Sequence, residues 1–280
     1  MAPGVGGVGG PSLFVGRARE ITALTDAWAR AKSGDRQVVF VAGEPGVGKS
    51  RTVVEAVLLL VADGASVLSG GCVPEFGAPY DPFVEPVSRL ADAVAAGELQ
   101  LPGPPDADQR RLARLRALTG VDPGEPAPGV AASDSPRTIF AACLDAVRAA
   151  AADTPTVLVL EDLQWAGDAA LQLLRFLVMH TVSTPLLLLA TLRATPPDRS
   201  ADLMETVSRL YRLPGVRRID LGGLSDDEIA EYLIRAGGLP VGPASESAAL
   251  IRDQTGGNPF LMLEVLRDIA GRGGLRRLRA

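Results

Sequence analysis

Val38 to Thr52 reads VVFVAGEPGVGKSRT: an apolar run, a glycine-rich turn, then a lysine and a hydroxyl opening a helix-like segment. Gly43, Gly48, Lys49 and Ser50 fall at the spacing G-x-x-x-x-G-K-[ST]. Phosphate oxygens need several donors in one small concavity. Glycines let successive backbone N–H groups point inward without side-chain clashes. The helix that follows adds its free N–H groups and positive dipole end. Gly43, Glu44, Pro45, Gly46, Val47 and Gly48 form the expected cradle, with Lys49, Ser50 and Arg51 opening the helix. In such a loop the lysine reaches the β- and γ-phosphates and the hydroxyl ligates Mg2+. The chain otherwise avoids lysine, Lys32 being the one besides Lys49.

Around this loop, strand-like and helix-like runs alternate. QVVFVA, TVLVLE and PLLLLATLR are apolar on both alternate sets of positions, as in strands buried on both faces. SVLSGGC reads as a further strand and VRRIDLGGL as an edge strand. Helical periodicity covers Arg19 to Ala31, the run after Ser50, about Val84 to Ala96, Ser135 to about Ala152 with a serine cap and first-turn proline, and DAALQLLRFLVMHT and DLMETVSRLYRL. Beyond Ser225 only helical patterns remain. The expectation is an α/β P-loop fold, a parallel sheet with helices on both faces, plus a small C-terminal helical lid. Residues 1–12 read as a flexible glycine-rich start, 13–222 as the core, 223–270 as the lid and 271–280 as a basic tail. Prolines and glycines mark residues 101–135 as a surface insertion around one charged helix.

Composition narrows the chemistry. The 280 residues carry a net charge of −5, which argues against a nucleic-acid-binding surface. Two cysteines and one histidine, Cys72, Cys143 and His180, supply neither a disulfide framework nor a metal cage nor a histidine-dependent triad. No signal-peptide pattern opens the chain, and no run of about 18 apolar residues spans a membrane, so a cytoplasmic location is expected.

VLVLEDLQW places two carboxylates where a buried strand ends. One can hold the magnesium shell and the other orient an attacking water. Register assigns Glu161 to the metal and Asp162 to the water, with the roles open to exchange; the plainer reading is a polar strand end. Arg193, past the end of LLLLATLR, can feel a γ-phosphate or be a surface arginine. TGGNPF reads as a helix C-cap followed by a helix start, and FVGRARE as a turn before the first helix. Cys72, His180, Trp28 and Trp165 read as packing residues.

FVGRARE, GEPGVGKSR, GGCVPEFGAPYDPF, VLVLEDLQWAG, LLLLATLRA, LGGLSDDEIAEYL and TGGNPF in this order resemble the ATPase module of the large ATP-binding LuxR-type regulators, of the STAND class of P-loop NTPases near AAA+ proteins. The module is also similar to those attached to some class III nucleotide cyclases. The resemblance implies that backbone around Val15, Gly16 and Arg17 lines an adenine pocket. It makes Arg193 a sensor of the γ-phosphate and sets Pro259 against the adenine from the lid. It also implies a slow switch, ADP-bound at rest and self-associated with ATP. The family usually has histidine where Gln164 stands, and WAD where this chain has Trp165-Ala166-Gly167; both departures bear on hydrolysis more than on binding. Family members continue into a winged helix, a repeat array and a DNA-binding helix-turn-helix, so a chain ending at Ala280 is expected to be a fragment, a truncated product or a free-standing module, with no nucleic-acid contact of its own.

Three functions fit this reading. The first is a nucleotide-controlled switch that binds ATP, ADP and Mg2+ and hydrolyses ATP slowly. The second is a partner-stimulated AAA+-type ATPase, for which Arg212, Arg217 or Arg218 could act in trans. The third is a nucleotide-binding scaffold without turnover. The choice of adenine over guanine rests on the resemblance.

Overall fold

In the computed structural model, which describes residues 13–74, 78–104, 107–120, 135–193 and 200–271, five strands form one parallel sheet. The strands are β1 (Gln37–Gly43), β2 (Ser66–Gly71), β3 (Thr156–Glu161), β4 (Leu186–Arg193) and β5 (Val216–Leu221), in the spatial order β2-β3-β4-β1-β5. The helices are α1 (Ala18–Lys32), α2 (Lys49–Ala62), α3 (Val84–Ala95), α4 (Asp108–Thr119), α5 (Pro136–Asp153), α6 (Asp168–His180), α7 (Ala201–Leu210), α8 (Asp226–Gly237), α9 (Val241–Thr255) and α10 (Pro259–Gly271). The proposed flexible start and basic tail lie outside the described residues, as does most of the stretch between α4 and α5.

The apolar runs decide which strands are central. All seven residues of β1 are buried, and β3 and β4 are buried up to their last residue. Val38, Phe40 and Ala42 join a large core with residues of α3 to α7. Val39 and Val41 are equally buried on the opposite face, and α2 lies against β1, β2 and β4. Edge strands β2 and β5 carry the exposed positions.

Strand order positions the chemistry. β4 lies between β1 and β3, pairing Gly43 with Arg193 on one side and Leu160 with Ala190 on the other. The glycine loop after β1, Arg193 at the end of β4 and the carboxylates after β3 therefore share one end of the sheet. Ligands of open parallel sheets bind at the carboxyl ends of the strands.

The contacts divide the chain into two units: residues 19–45 and 49–221, and residues 13–18, 46–48 and 222–271. The second unit has its own apolar cluster, including Val15, Leu224, Ile229, Leu233, Ala248, Ile251 and Met262. There Ser225 and Glu228 close a full capping box on α8. Gly256 caps α9 in the left-handed region at φ 62°, as TGGNPF suggested. Next to it Gly257 serves close approach, since a Cβ there would stand 2.3 Å from the Leu224 carbonyl oxygen.

Two expectations need correction. The charged helix α4 is not a surface feature: Leu115 and Leu118, with Leu101, belong to the main core, and α4 packs on α3 and α5. Ser135 precedes α5, yet its side chain makes no capping hydrogen bond. His180, read as a packing residue, is exposed and stacks on Phe176, 4.2 Å between ring centroids. Among the described residues no helix is long and apolar enough to cross a membrane.

Candidate nucleotide site

β1 delivers the chain into the loop at Gly43, and α2 begins at Lys49. Gly46 (φ 77°) and Gly48 (φ 97°) lie where side chains are strained, which is why the loop needs glycine there. The first turn of α2 carries no acidic residue, which suits its positive end to an anion. Lys49 is buried, and its ammonium donates to the carbonyls of Gly43 and Glu44 at 3.0 Å each. Burial pushes its pKa down; Asp162 opposes that shift and Arg193 adds to it. Lys49 is thus within electrostatic reach of both groups. Ser50 is exposed on the same turn, whereas Arg51 turns along the helix to pair with Glu55 at 2.6 Å.

Past β3 the chain turns sharply. Asp162 adopts the left-handed conformation (φ 57°, ψ 47°), which Asp tolerates better than most residues. Its N–H donates to the Thr191 hydroxyl at 2.9 Å. A single turn of 3-10 helix, Leu163–Trp165, follows. From it the buried Gln164 donates to Asp162 Oδ1 at 2.8 Å and accepts the backbone N–H of Arg193 at 3.2 Å. Trp165 is 39 % exposed, and the Arg193 guanidinium lies over its ring, 5.4 Å from the centroid. Trp165, read as a packing residue, thus packs against the candidate sensor arginine. Glu161, the last residue of β3, pairs in register with Gly71 of β2, and Asp162 follows it in the turn.

Within the second unit, Gly16 (φ 68°) and Arg17 (φ 65°) form a left-handed pair. A Cβ at Gly16 would stand 2.2 Å from Glu228 Oε1, and its positive φ favours glycine. Arg17 is 5 % exposed. Its Nη2 donates to Val47 O at 3.0 Å and Gly222 O at 2.7 Å, and its N–H donates to Glu228 Oε1 at 3.1 Å. Gly46 O accepts the Phe260 N–H at 3.3 Å, next to Pro259, the first residue of α10. Val15 packs in the cluster of this unit.

Sequence reasoning noted Gln164 only as a departure and gave Glu228 no role. The sequence signal for Glu228 was its place in S-D-D-E, which the capping box explains; its bond to Arg17 spans 211 positions. Among the described residues no group of three or more His, Cys, Asp or Glu could hold a metal ion. Mg2+ is commonly held by one or two carboxylates together with substrate phosphates, and the oxygen donors Ser50, Glu161 and Asp162 suit that role.

The family described as an AAA ATPase domain matches residues 13–189, more than half of the chain. None of the curated proteins matches. Among solved structures, a STAND protein with a tetratricopeptide repeat sensor from Pyrococcus horikoshii aligns with TM-score 0.52 and 15 % identity, over 89 % of this chain and 29 % of its own. A RuvB variant from Thermotoga maritima aligns with TM-score 0.47 and 14 % identity, over 95 % of this chain and 65 % of its own. The chain thus spans under a third of the STAND protein and just under two thirds of RuvB.

Proposed function

Because the chain belongs to the AAA ATPase domain family, we propose that it binds ATP and ADP with Mg2+ at the glycine loop and hydrolyses ATP slowly. One observation carries this reading: the glycine loop, Arg193 and Asp162 lie at the same end of three adjacent parallel strands, β1, β4 and β3. Lys49 exchanges the Gly43 and Glu44 carbonyls for β- and γ-phosphate oxygens, with no new charge to bring in. Ser50 and Glu161 would hold Mg2+, which would supply neutralisation of the phosphate charge. Asp162, the carboxylate acting on Lys49, orients the water. The water oxygen bonds to the γ-phosphorus in line as the bond to the β–γ bridging oxygen breaks, releasing ADP and phosphate. Arg193 and Lys49 stabilise the charge that develops. Val15, Gly16 and Arg17 contribute backbone toward the adenine, and Pro259 a further contact.

The finer reading is a nucleotide-controlled switch in a signalling or transcriptional regulator, self-associating in the ATP state. The motif series of the sequence supports it, as does the likeness to a STAND protein that carries a sensor. Denaturing the purified protein and separating the released nucleotide by chromatography tests the reading, together with light scattering in ADP and in ATP. Stoichiometric ADP and growth of the particle with ATP are expected. Fast turnover with no retained nucleotide and no change in size would contradict the switch.

A further inference from the structure

Two residues of one 3-10 turn engage Arg193 in different ways. Gln164 accepts its backbone N–H at 3.2 Å, and Trp165 lies under its guanidinium at 5.4 Å. The same Gln164 donates to Asp162 Oδ1 at 2.8 Å. Its amide orientation is fixed by its partners: an N–H faces the oxygen and a carboxylate faces the nitrogen, so the flipped amide would oppose like groups at both ends. The side chain is 6 % exposed, and both of its ends are used within the site. Asp162 needs such a holder. Its backbone is left-handed, and its N–H is already committed to Thr191 on β4. One carboxylate oxygen bound to Gln164 fixes the rotamer and aims the other.

We propose that Gln164 is a positioning residue that joins Asp162, the water-orienting carboxylate, to Arg193, the arginine that reads the γ-phosphate. This rests on the ATPase reading above. Gln164 acts through these two groups. It makes the two groups move as one, so the turn registers whether a γ-phosphate is present. The interaction matters for ATP and for the transition state, and little for ADP.

The test compares wild type with Gln164→Leu, which loses both bonds, Gln164→Glu, which keeps the acceptor for Arg193 and loses the donor to Asp162, and Gln164→His, whose neutral ring offers one donor and one acceptor. Fluorescent ADP and ATP analogues with Mg2+ report affinity, and phosphate release reports turnover. In Gln164→Leu, ADP affinity stays within about twofold, the preference for ATP over ADP falls at least about fivefold, and kcat falls at least about tenfold with KM little changed, the size expected for losing a hydrogen bond to a charged group. Gln164→Glu, which stands in if the Leu variant does not fold, shows the same split, and Gln164→His recovers most of both. Wild-type preference and kcat in Gln164→Leu and Gln164→Glu overturn the proposal, as does an equal loss of ADP and ATP affinity. A wild type that turns over no ATP leaves the affinity ratio to decide. No nucleotide binding by the wild type sinks the ATPase reading, and this inference with it.

Discussion

Replacing Arg17 with alanine removes more than a surface charge. Both side-chain bonds, to Val47 O and Gly222 O, leave from the same nitrogen and use its two hydrogens. The residue is 5 % exposed, so water cannot readily take over. A hydrogen bond from a charged donor contributes about 1.5–3 kcal/mol, so losing two destabilises this unit by about 3–6 kcal/mol. The backbone bond from Arg17 N to Glu228 survives, and so does the left-handed φ, which alanine tolerates no better than arginine. The loss therefore belongs to the guanidinium. Native-state hydrogen exchange read by mass spectrometry localises it: amides in peptides covering residues 46–48 and 222–224 should exchange at least a hundredfold faster, with the β1 and β4 peptides unchanged. A change below about 1 kcal/mol with unaltered exchange at 46–48 would refute the reasoning.

Asp162→Asn keeps nucleotide affinity within a fewfold and lowers turnover about a hundredfold, as expected for removing the carboxylate that orients the attacking water; phosphate release decides, and equal losses in Glu161→Gln and Asp162→Asn would cancel the division of roles. The lowered pKa of Lys49 gives a pH dependence with a definite sign. The ammonium is the binding form, so ATP affinity of the free protein falls as pH rises, beginning below the ordinary lysine value of about 10.4; titration calorimetry from pH 7.5 to 10 should show the fall, and a flat profile would contradict it. Cys72 and Cys143 are buried with thiol pKa values pushed up to about 12, chiefly by desolvation. At pH 8 roughly one thiol in ten thousand is thiolate, so a chromogenic disulfide should not react with native protein and should titrate both thiols after unfolding. Rapid native labelling would show the burial to be wrong.

The legible parts of this chain are those written in local chemistry. The glycine loop could be read because Gly46 and Gly48 need positive φ and because Lys49 closes the spacing. The central strands were visible because both faces of β1, β3 and β4 are covered, which leaves no polar alternation to find. Features that depend on distant partners were hidden. α4 looked like surface because it is charged and sits between proline- and glycine-rich stretches, yet Leu115 and Leu118 suffice to seat it in the core. Trp165 read as a packing residue, but its partner Arg193 lies 28 positions away and no motif links the two. Gln164 carries no sequence signature of its role, since an amide becomes a bridge only when two strand ends approach it. For the same reason the bonds from Arg17 to Val47, Gly222 and Glu228 could not be inferred from motifs.

The central claim is that the glycine loop holds Mg·ATP through Lys49. Titration calorimetry of wild type and Lys49→Ala with Mg·ATP, both first stripped of nucleotide and checked for folding by circular dichroism, tests it most directly. The account predicts one site per chain in the wild type and affinity weakened at least about a hundredfold in the variant, the loss of charge-assisted bonds to phosphate. Tight ATP binding by a folded Lys49→Ala, or none by the wild type, would contradict it.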